Sequence, residues 1–138
     1  MSQQVIETSA APAAIGPYSQ AVKTGPLLFV SGQIGLQPQT AQVVSGGVEA
    51  EAHQVMQNIG AILKAAGLDY KHIVKTTIFL KSMQDFAAVN AIYASYLSAP
   101  FPARETVEVA RLPKDVQVEI RCLSAVAANS APIRACAT

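Results

Sequence analysis

The spacing of apolar residues changes in the middle of the chain, and this change restricts the folds that the chain can adopt. After Gly47, apolar residues recur at the helical period and share one face, and Gly67 is placed to end the helix. The residues on this face are Val48, Ala52, Val55, Met56, Ile59, Ile62, Leu63 and Ala66. The segments on either side have the composition of β-strands. The chain is therefore expected to pack a long helix against a sheet.

Runs rich in β-branched and large apolar residues predict the strands. They cover residues 3–8, 19–24, 27–33, 73–81, 105–111 and 116–126, with loops expected at 10–18 and 35–47. Ser82 is placed to cap a second helix that ends near Leu97, ahead of Pro100 and Pro102. This order predicts an α+β fold with one mixed sheet and two helices on one face.

Length and charge bear on how that sheet is covered. The 138 residues predict one domain over residues 1–127, followed by a flexible tail at 128–138. Charged residues make up 14% of the chain, whereas about 25% is typical of soluble domains. So few charges predict that the sheet face without helices is buried against further copies of the chain.

The charge balance and the cysteine count argue against several classes of protein. The net charge is +1 and there is no basic run, so a nucleic-acid partner is not expected. No secretory signal and no apolar stretch of about 18 residues is visible, which predicts no membrane partner. Cys122 and Cys136 are too few for a disulfide framework. We expect a reduced, soluble, cytoplasmic protein.

Motifs of the stronger catalytic chemistries are missing from the sequence. There is no Walker loop and no Gly-x-Ser-x-Gly elbow, and Gly32-Gln-Ile-Gly35 is too short for a dinucleotide fingerprint. Neither His53 nor His72 has a cysteine or carboxylate nearby in the sequence at the spacing that metal ligands show. No metal and no cofactor are therefore predicted. Cys122 alternates with apolar positions and is predicted to be a small core residue rather than a nucleophile.

Two charged residues are candidates for chemistry. Arg104 follows the stiff segment Phe101-Pro102-Ala103, and its planar guanidinium suits bidentate capture of a carboxylate. The alternative is a surface arginine paired with a nearby glutamate. Glu119 lies in the middle of the last strand. It is either an acid/base carboxylate or a solvated charge paired with Arg121.

The distance between these two residues follows from an assumed register. If the turn 112–115 joins antiparallel neighbours, Arg104 lies opposite Leu123, on the same sheet face as Glu119. The offset of four residues from Leu123 to Glu119 then separates the two charges by about 13 Å. That is too far for both to act on one small molecule within one chain, so a site shared between subunits is predicted.

Longer blocks around these residues resemble the RidA/YjgF family of reactive intermediate (enamine/imine) deaminases, also called the L-PSP endoribonuclease family. The matching blocks are residues 14–21, 30–34, 74–77, 85–86 with 89–90, 101–104, 107–114 and 118–120. The resemblance implies a chorismate-mutase-like fold and a homotrimer with clefts between subunits. It also implies hydrolysis of 2-iminobutanoate and 2-iminopropanoate to 2-oxo acids and ammonia without a cofactor. Two alternatives remain open: an endoribonuclease that inhibits translation, and a non-enzymatic trimer that binds small carboxylates or acts like a chaperone.

The resemblance also implies roles for single residues. Arg104 would bind the substrate carboxylate, and Glu119 would act on the attacking water. The cleft would be lined by Tyr18, Ser31, Gly32, Asn90 and Thr106, with the Gly32 carbonyl facing the substrate nitrogen. Thr106 stands where many members have cysteine, and Arg121 where many have glutamate. A cation at position 121 is expected to lower the pKa of Glu119.

Overall fold

The computed structural model describes residues 2–126, which form six strands and two α-helices. In chain order these are β1 (Gln3–Ile6), β2 (Ala21–Thr24), β3 (Leu27–Gln33), α1 (Gly47–Ala65), β4 (Ile73–Leu80), α2 (Phe86–Ser95), β5 (Ala103–Glu108) and β6 (Val118–Ala125). The α+β prediction is confirmed. The predicted tail at 128–138 lies outside the described residues.

The six strands form one mixed sheet in the order β1-β2-β3-β6-β4-β5. Only β4 and β5 pair in parallel, and every other pair is antiparallel. β5 is therefore an edge strand that pairs with β4, and β6 lies between β3 and β4. The prediction that the turn 112–115 joins neighbouring strands is wrong.

Differences in burial explain why β5 and β6 are not neighbours in the sheet. Val118, Ile120 and Cys122 of β6 are buried on the helix side, as a central strand requires, whereas β5 (Ala103–Glu108) is almost entirely exposed. β4 lies between β6 and β5, and at its end the Val109 N–H donates to the Leu80 carbonyl at 2.9 Å. A polar strand is tolerated at an edge because one of its sides faces solvent.

α1 forms where the apolar period predicts it and buries the predicted face. Ala52, Val55, Met56, Ile59, Ile62 and Leu63 are each at most 1% exposed. Each such Val, Leu or Ile contributes roughly 1.5–3 kcal/mol by leaving water. Gly67 adopts φ +77° just after the helix, a left-handed conformation that glycine reaches without steric cost. The predicted end of the helix is confirmed.

The start of the second helix differs slightly from the prediction. The Ser82 hydroxyl accepts a hydrogen bond from the Gln84 N–H at 3.3 Å, but the turn that it caps is a short 3₁₀ turn, Met83–Asp85. α2 itself runs from Phe86 to Ser95. Among the described residues, neither helix has the length and apolar character that crossing a bilayer requires.

The sheet has one face under the helices and one without helices, which we call the open face. Alternation along the paired strands places the following side chains on the open face: Val5, Val22, Phe29, Lys75, Thr77, Phe79, Ala103, Glu105, Val107, Glu119, Arg121 and Leu123. Phe29 is 48% exposed and Val107 is 40% exposed. The face thus presents large apolar side chains to solvent in the single chain.

Candidate active site

A cleft of about 510 Å³ lies beside the junction of β3 and β6. Its walls are mainly apolar and come from Pro12, Ala13 and Ile15, from Ile34 and Leu36, and from Pro113. Its polar groups include Tyr18, Gly32, Lys114 and Glu119. Three of the residues predicted for the site, Tyr18, Gly32 and Glu119, are therefore brought together in one chain.

Gly32 and Glu119 are in close contact across the two strands. The pairing of β3 with β6 shifts register between Val30 and Gln33, and this bulge places Gly32 against the Glu119 side chain. A Cβ atom at position 32 would lie 2.7 Å from Glu119 Oε2 and 2.9 Å from its Cδ. Glycine is thus required here by close approach of a carboxylate, and bulges of this kind often lie next to active sites.

The Glu119 carboxyl is half-buried between the sheet and the cleft. Burial raises its pKa above the usual range, and the positive charge of Arg121 offsets part of that rise. The predicted influence of Arg121 is confirmed in direction, but burial is the larger effect. A carboxyl with a raised pKa is suited to accept and return a proton near neutral pH.

Arg121 is held on the open face by an aromatic ring. Its guanidinium carbon lies 5.4 Å from the centroid of the Phe79 ring, and Phe79 is the register partner of Glu119 in β4. Its charge also lowers the pKa of Glu105, after the larger effect of the hydrogen bond from Lys75. Arg121 thus lies between two carboxylates of the open face.

The loop that carries Tyr18 is fixed by Gln20, a residue that the sequence did not single out. The buried Gln20 side chain accepts from the Thr8 N–H at 2.8 Å and donates to the Pro12 carbonyl at 2.8 Å. Tyr18 itself is 54% exposed at the cleft. The Ser31 hydroxyl donates to the Ser19 carbonyl at 2.6 Å, so in the single chain it holds this loop.

Arg104 lies in a second cleft of about 450 Å³, with Asn90, Tyr93, Phe101 and Pro102. Its Nη1 donates to Asn90 Oδ1 at 2.5 Å. Its guanidinium carbon lies 5.3 Å from the centroid of the Tyr93 ring and 5.6 Å from that of Phe86. α2 therefore orients the guanidinium through one hydrogen bond and two cation–π contacts, each worth about 0.5–1 kcal/mol at an exposed site.

Two hydroxyl groups support this second cleft from the sheet. Thr76 Oγ1 and the Tyr93 hydroxyl are 2.7 Å apart, and burial raises the Tyr93 pKa. Thr106 lies on the same side of β5 as Arg104, and its Oγ1 is buried without a hydrogen-bond partner among residues 2–126.

Arg104 and Glu119 lie on opposite faces of the sheet, which corrects the predicted register. Arg104 pairs with Thr76 on the helix-covered side, whereas Glu119 is level with Phe79 and Val107 on the open face. The predicted placement on one face, four residues apart, is wrong because β4 separates the two strands. One small molecule cannot touch both side chains of the same chain.

The remaining candidates have structural roles. His53 Nδ1 lies 2.9 Å from the Tyr96 hydroxyl on the outer side of the helices, and His72 Nδ1 accepts from the Asp69 N–H at 3.0 Å. Burial raises the pKa of the Cys122 thiol to about 12, as expected for an inert core residue. Within residues 2–126, no three His, Cys, Asp or Glu side chains are grouped to hold a metal ion.

Lys114 is a cleft residue that the sequence analysis missed. Lys114 has φ 55° and ψ 20°, and the next residue, Asp115, also has φ 55°. Non-glycine residues in this region cost about 1–3 kcal/mol each and cluster at functional sites. The turn-like sequence was visible, but its left-handed backbone at two non-glycine residues was not.

Comparison with known proteins connects this arrangement to a family. The sequence profile of the family described as Endoribonuclease L-PSP matches residues 8–126. RutC family protein slr0709 of Synechocystis is 54% identical over 90% of this chain and 97% of its own length. The 2-iminobutanoate/2-iminopropanoate deaminase of Mus musculus is 50% identical over 88% of this chain and 90% of its own.

The fold agrees with the sequence match. The crystal structure of RidA from the Antarctic bacterium Psychrobacter has a TM-score of 0.86 and 45% identity, covering 89% of this chain and 99% of that one. The profile match extends over both clefts, from the loop of Tyr18 to Glu119. The chain therefore belongs to the RidA/YjgF family, the Endoribonuclease L-PSP family.

Proposed function

We propose that this protein hydrolyses 2-imino acids such as 2-iminobutanoate and 2-iminopropanoate to 2-oxo acids and ammonia, in clefts shared between the subunits of a homotrimer. The observation that carries the proposal is the separation of Arg104 and Glu119 onto opposite faces of one sheet. The names of relatives at about 50% identity support the choice of reaction.

The homotrimer accounts for two features of the single chain. The open face exposes Phe29 and Val107, and burying such side chains against another copy contributes about 25 cal/mol per Å². A neighbouring copy would also bring its Arg104 cleft to the Glu119 cleft of the first. Each site would then hold one cation for a carboxylate and one carboxyl group for proton transfer.

The chemistry needs few groups. Water adds to the iminium carbon, R–C(=NH₂⁺)–COO⁻, while Glu119 accepts one of its protons. The same carboxyl returns that proton to the nitrogen of the tetrahedral adduct. As the C–N bond breaks, the hydroxyl of the adduct gives its proton to Glu119 and becomes the carbonyl. The departing ammonia takes up that proton, so the products are the 2-oxo acid and ammonium, and atoms and charge balance. The site contributes orientation and proton transfer.

Each residue has a role that its contacts suit. Arg104 of one subunit would bind the substrate carboxylate with the guanidinium edge that Asn90 leaves free. Thr106, two residues from Arg104 on the same side of β5, would contribute through its backbone, because its Oγ1 is buried. The Gly32 carbonyl would accept from the iminium N–H beside Glu119, and Tyr18 would cover the site.

The reaction can be tested by trapping. Threonine dehydratase generates 2-iminobutanoate, which semicarbazide traps unless a deaminase removes it first. The wild-type protein and the control Glu49→Gln, an exposed helix carboxylate, should lower trapping. Arg104→Ala and Glu119→Gln should not. Equal trapping with wild type and with Arg104→Ala would contradict the proposal. RNA cleavage without an effect on trapping would favour the endoribonuclease, and 2-oxobutanoate binding without turnover a carboxylate-binding module.

Mixed subunits test whether the site is shared. In trimers refolded from equal amounts of Arg104→Ala and Glu119→Gln, about a quarter of the clefts receive an intact arginine from one subunit and an intact glutamate from the next. About that share of wild-type activity should return on mixing two inactive proteins. No return of activity, or a monomer in sedimentation, would contradict the shared site.

A further inference from the structure

The buried face of α1 carries two polar side chains within an otherwise apolar stripe. Glu51 is 5% exposed and Asn58 is 1% exposed. They are seven residues apart, so they lie on the same side of the helix, two turns from each other. Glutamate and asparagine are rarely this buried unless they are paired. The hydrogen-bond partners of both side chains lie in segments that line the Glu119 cleft.

Asn58 holds the wall of the cleft that follows β3. Its Nδ2 donates to the carbonyls of Ile34 and Leu36 at 3.3 and 3.0 Å. Its Oδ1 accepts from Gln54 Nε2 at 2.8 Å, which fixes the orientation of the amide. Ile34 and Leu36 are both wall residues of the cleft.

Glu51 holds the chain where it enters β6, between two further residues that line the cleft, Lys114 and Glu119. Its Oε1 accepts from the Gln117 N–H at 2.9 Å, and the Gln117 carbonyl accepts from the Lys81 N–H at 3.0 Å. Gln117 lies between the strained turn that carries Lys114 and the Glu119 carboxyl two residues later. A strained turn persists only where its surroundings over-determine it.

The turn is anchored from its outer side as well. Arg111 donates to both carboxylate oxygens of Asp115, at 2.7 and 3.2 Å. That pair is exposed at both ends, so it contributes little by itself. The buried anchor at Glu51 is the stronger constraint, because a hydrogen bond shielded from water is stronger than an exposed ion pair.

We propose that Glu51 and Asn58 are positioning residues, which fix the two walls of the cleft from one helix and thereby set the place of the Glu119 carboxylate. The catalytic part of this inference rests on the proposed function. Neither side chain lines the cleft, so neither touches the substrate.

The environment of Glu51 indicates which variants separate positioning from charge. Burial raises the pKa of Glu51 and the nearby Asp85 raises it further, while hydrogen bonds from the backbone of Gln117 and Val118 lower it. Glu51→Gln keeps an oxygen that can accept from the Gln117 N–H and removes the buried charge. Glu51→Leu keeps the approximate volume and removes the acceptor.

The kinetic test compares these variants with a control that removes a different hydrogen bond to the same helix. Tyr70→Phe removes a hydrogen bond of 2.7 Å to the Met56 carbonyl of α1, and neither residue lines the cleft. Glu51→Leu and Asn58→Leu should each lower kcat roughly 10- to 100-fold, because a misplacement near 1 Å costs about that much. KM should stay within about threefold. Glu51→Gln should recover most of the activity, and Tyr70→Phe should keep kcat.

The opposing result is equally clear. If Glu51→Leu and Asn58→Leu fold and keep wild-type kcat, or if Tyr70→Phe loses kcat in the same proportion to its loss of Tm, the two residues are structural only. Should one leucine variant not fold, the other gives the same comparison for its own wall.

A second measurement needs no activity and therefore separates this inference from the proposed function. Amide hydrogen exchange in Glu51→Leu should become at least about tenfold faster at Gln117 and stay unchanged there in Tyr70→Phe. The carboxyl titration of Glu119, followed by NMR, should also shift in Glu51→Leu. Unchanged exchange and titration would overturn the positioning role even if the wild-type protein hydrolyses no imine.

Discussion

Replacing Gly32 by alanine should impair catalysis far more than stability. A Cβ at this position would lie 2.7 Å from Glu119 Oε2, whereas ordinary contacts begin at 3.4 Å, so the carboxylate has to move by about 0.7 Å, the difference between the two distances. Gly32 is not among the residues with positive φ. Alanine therefore adds no backbone strain, and its effect is steric.

The magnitude follows from that displacement. A catalytic group misplaced by up to 1 Å can cost about 10²-fold, so we expect kcat to fall roughly 10- to 100-fold. This corresponds to about 1.4–2.7 kcal/mol in the activation barrier. The free energy of unfolding should fall by only about 1 kcal/mol, the low end for overpacking, because the half-buried carboxylate can turn toward the cleft.

The assay is the semicarbazide trap, with Tm measured on the same samples. Gly60→Ala is the matched control. Gly60 lies in α1 and does not line the cleft, and a Cβ there would overlap the Tyr70 hydroxyl. It should change Tm and leave kcat unaltered. Gly32→Ala should have little further effect in a Glu119→Gln background. Unchanged kcat in Gly32→Ala, or an equal loss with and without the Glu119 carboxylate, would show that Gly32 does not act by making room for it.

Four further outcomes are expected. Arg104→Lys should lose roughly 10-fold or more in kcat/KM, because an ammonium keeps the charge but not the planar fork oriented by Asn90; kinetics within twofold of wild type would contradict this. Glu119 has a raised pKa and must be ionised to accept a proton, so kcat should fall as pH drops through a value above the usual 4.5. Arg121→Gln should move this acidic limb to higher pH, since it removes a charge that lowers the Glu119 pKa; a downward shift would be inconsistent. Gln20→Ala should lower the free energy of unfolding by about 2–3 kcal/mol, because buried backbone partners lose their hydrogen bonds, as chemical denaturation can measure.

The elements with local signals were predictable. The stripe from Val48 to Ala66 and the glycine that ends it specify α1, because helix period and left-handed backbone are properties of neighbouring residues. Strand β3 was predicted with its observed bounds, 27–33. The motif residues Tyr18, Gly32 and Glu119 were likewise identifiable from the resemblance, and the structure brings them into one cleft.

The pairing of distant strands was not predictable in the same way. Strands joined by a short turn usually pair, yet β4 lies between β5 and β6. The choice depends on which strand can bury both faces and both edges, and the mostly exposed β5 cannot. Pairing β5 directly with β6 gives the wrong register between the two strands. That register placed the Arg104 side chain on the same sheet face as Glu119.

By itself, the sequence determined the fold class, the family and the identities of the residues that carry charge into the site. Only the tertiary structure decided that Arg104 and Glu119 face opposite ways, that Gly32 makes room for a carboxylate, and that Glu51 is buried and accepts a hydrogen bond from the Gln117 N–H. The physical reason is that periodicity and turn chemistry are local, whereas burial and strand neighbours depend on contacts between residues far apart in the chain.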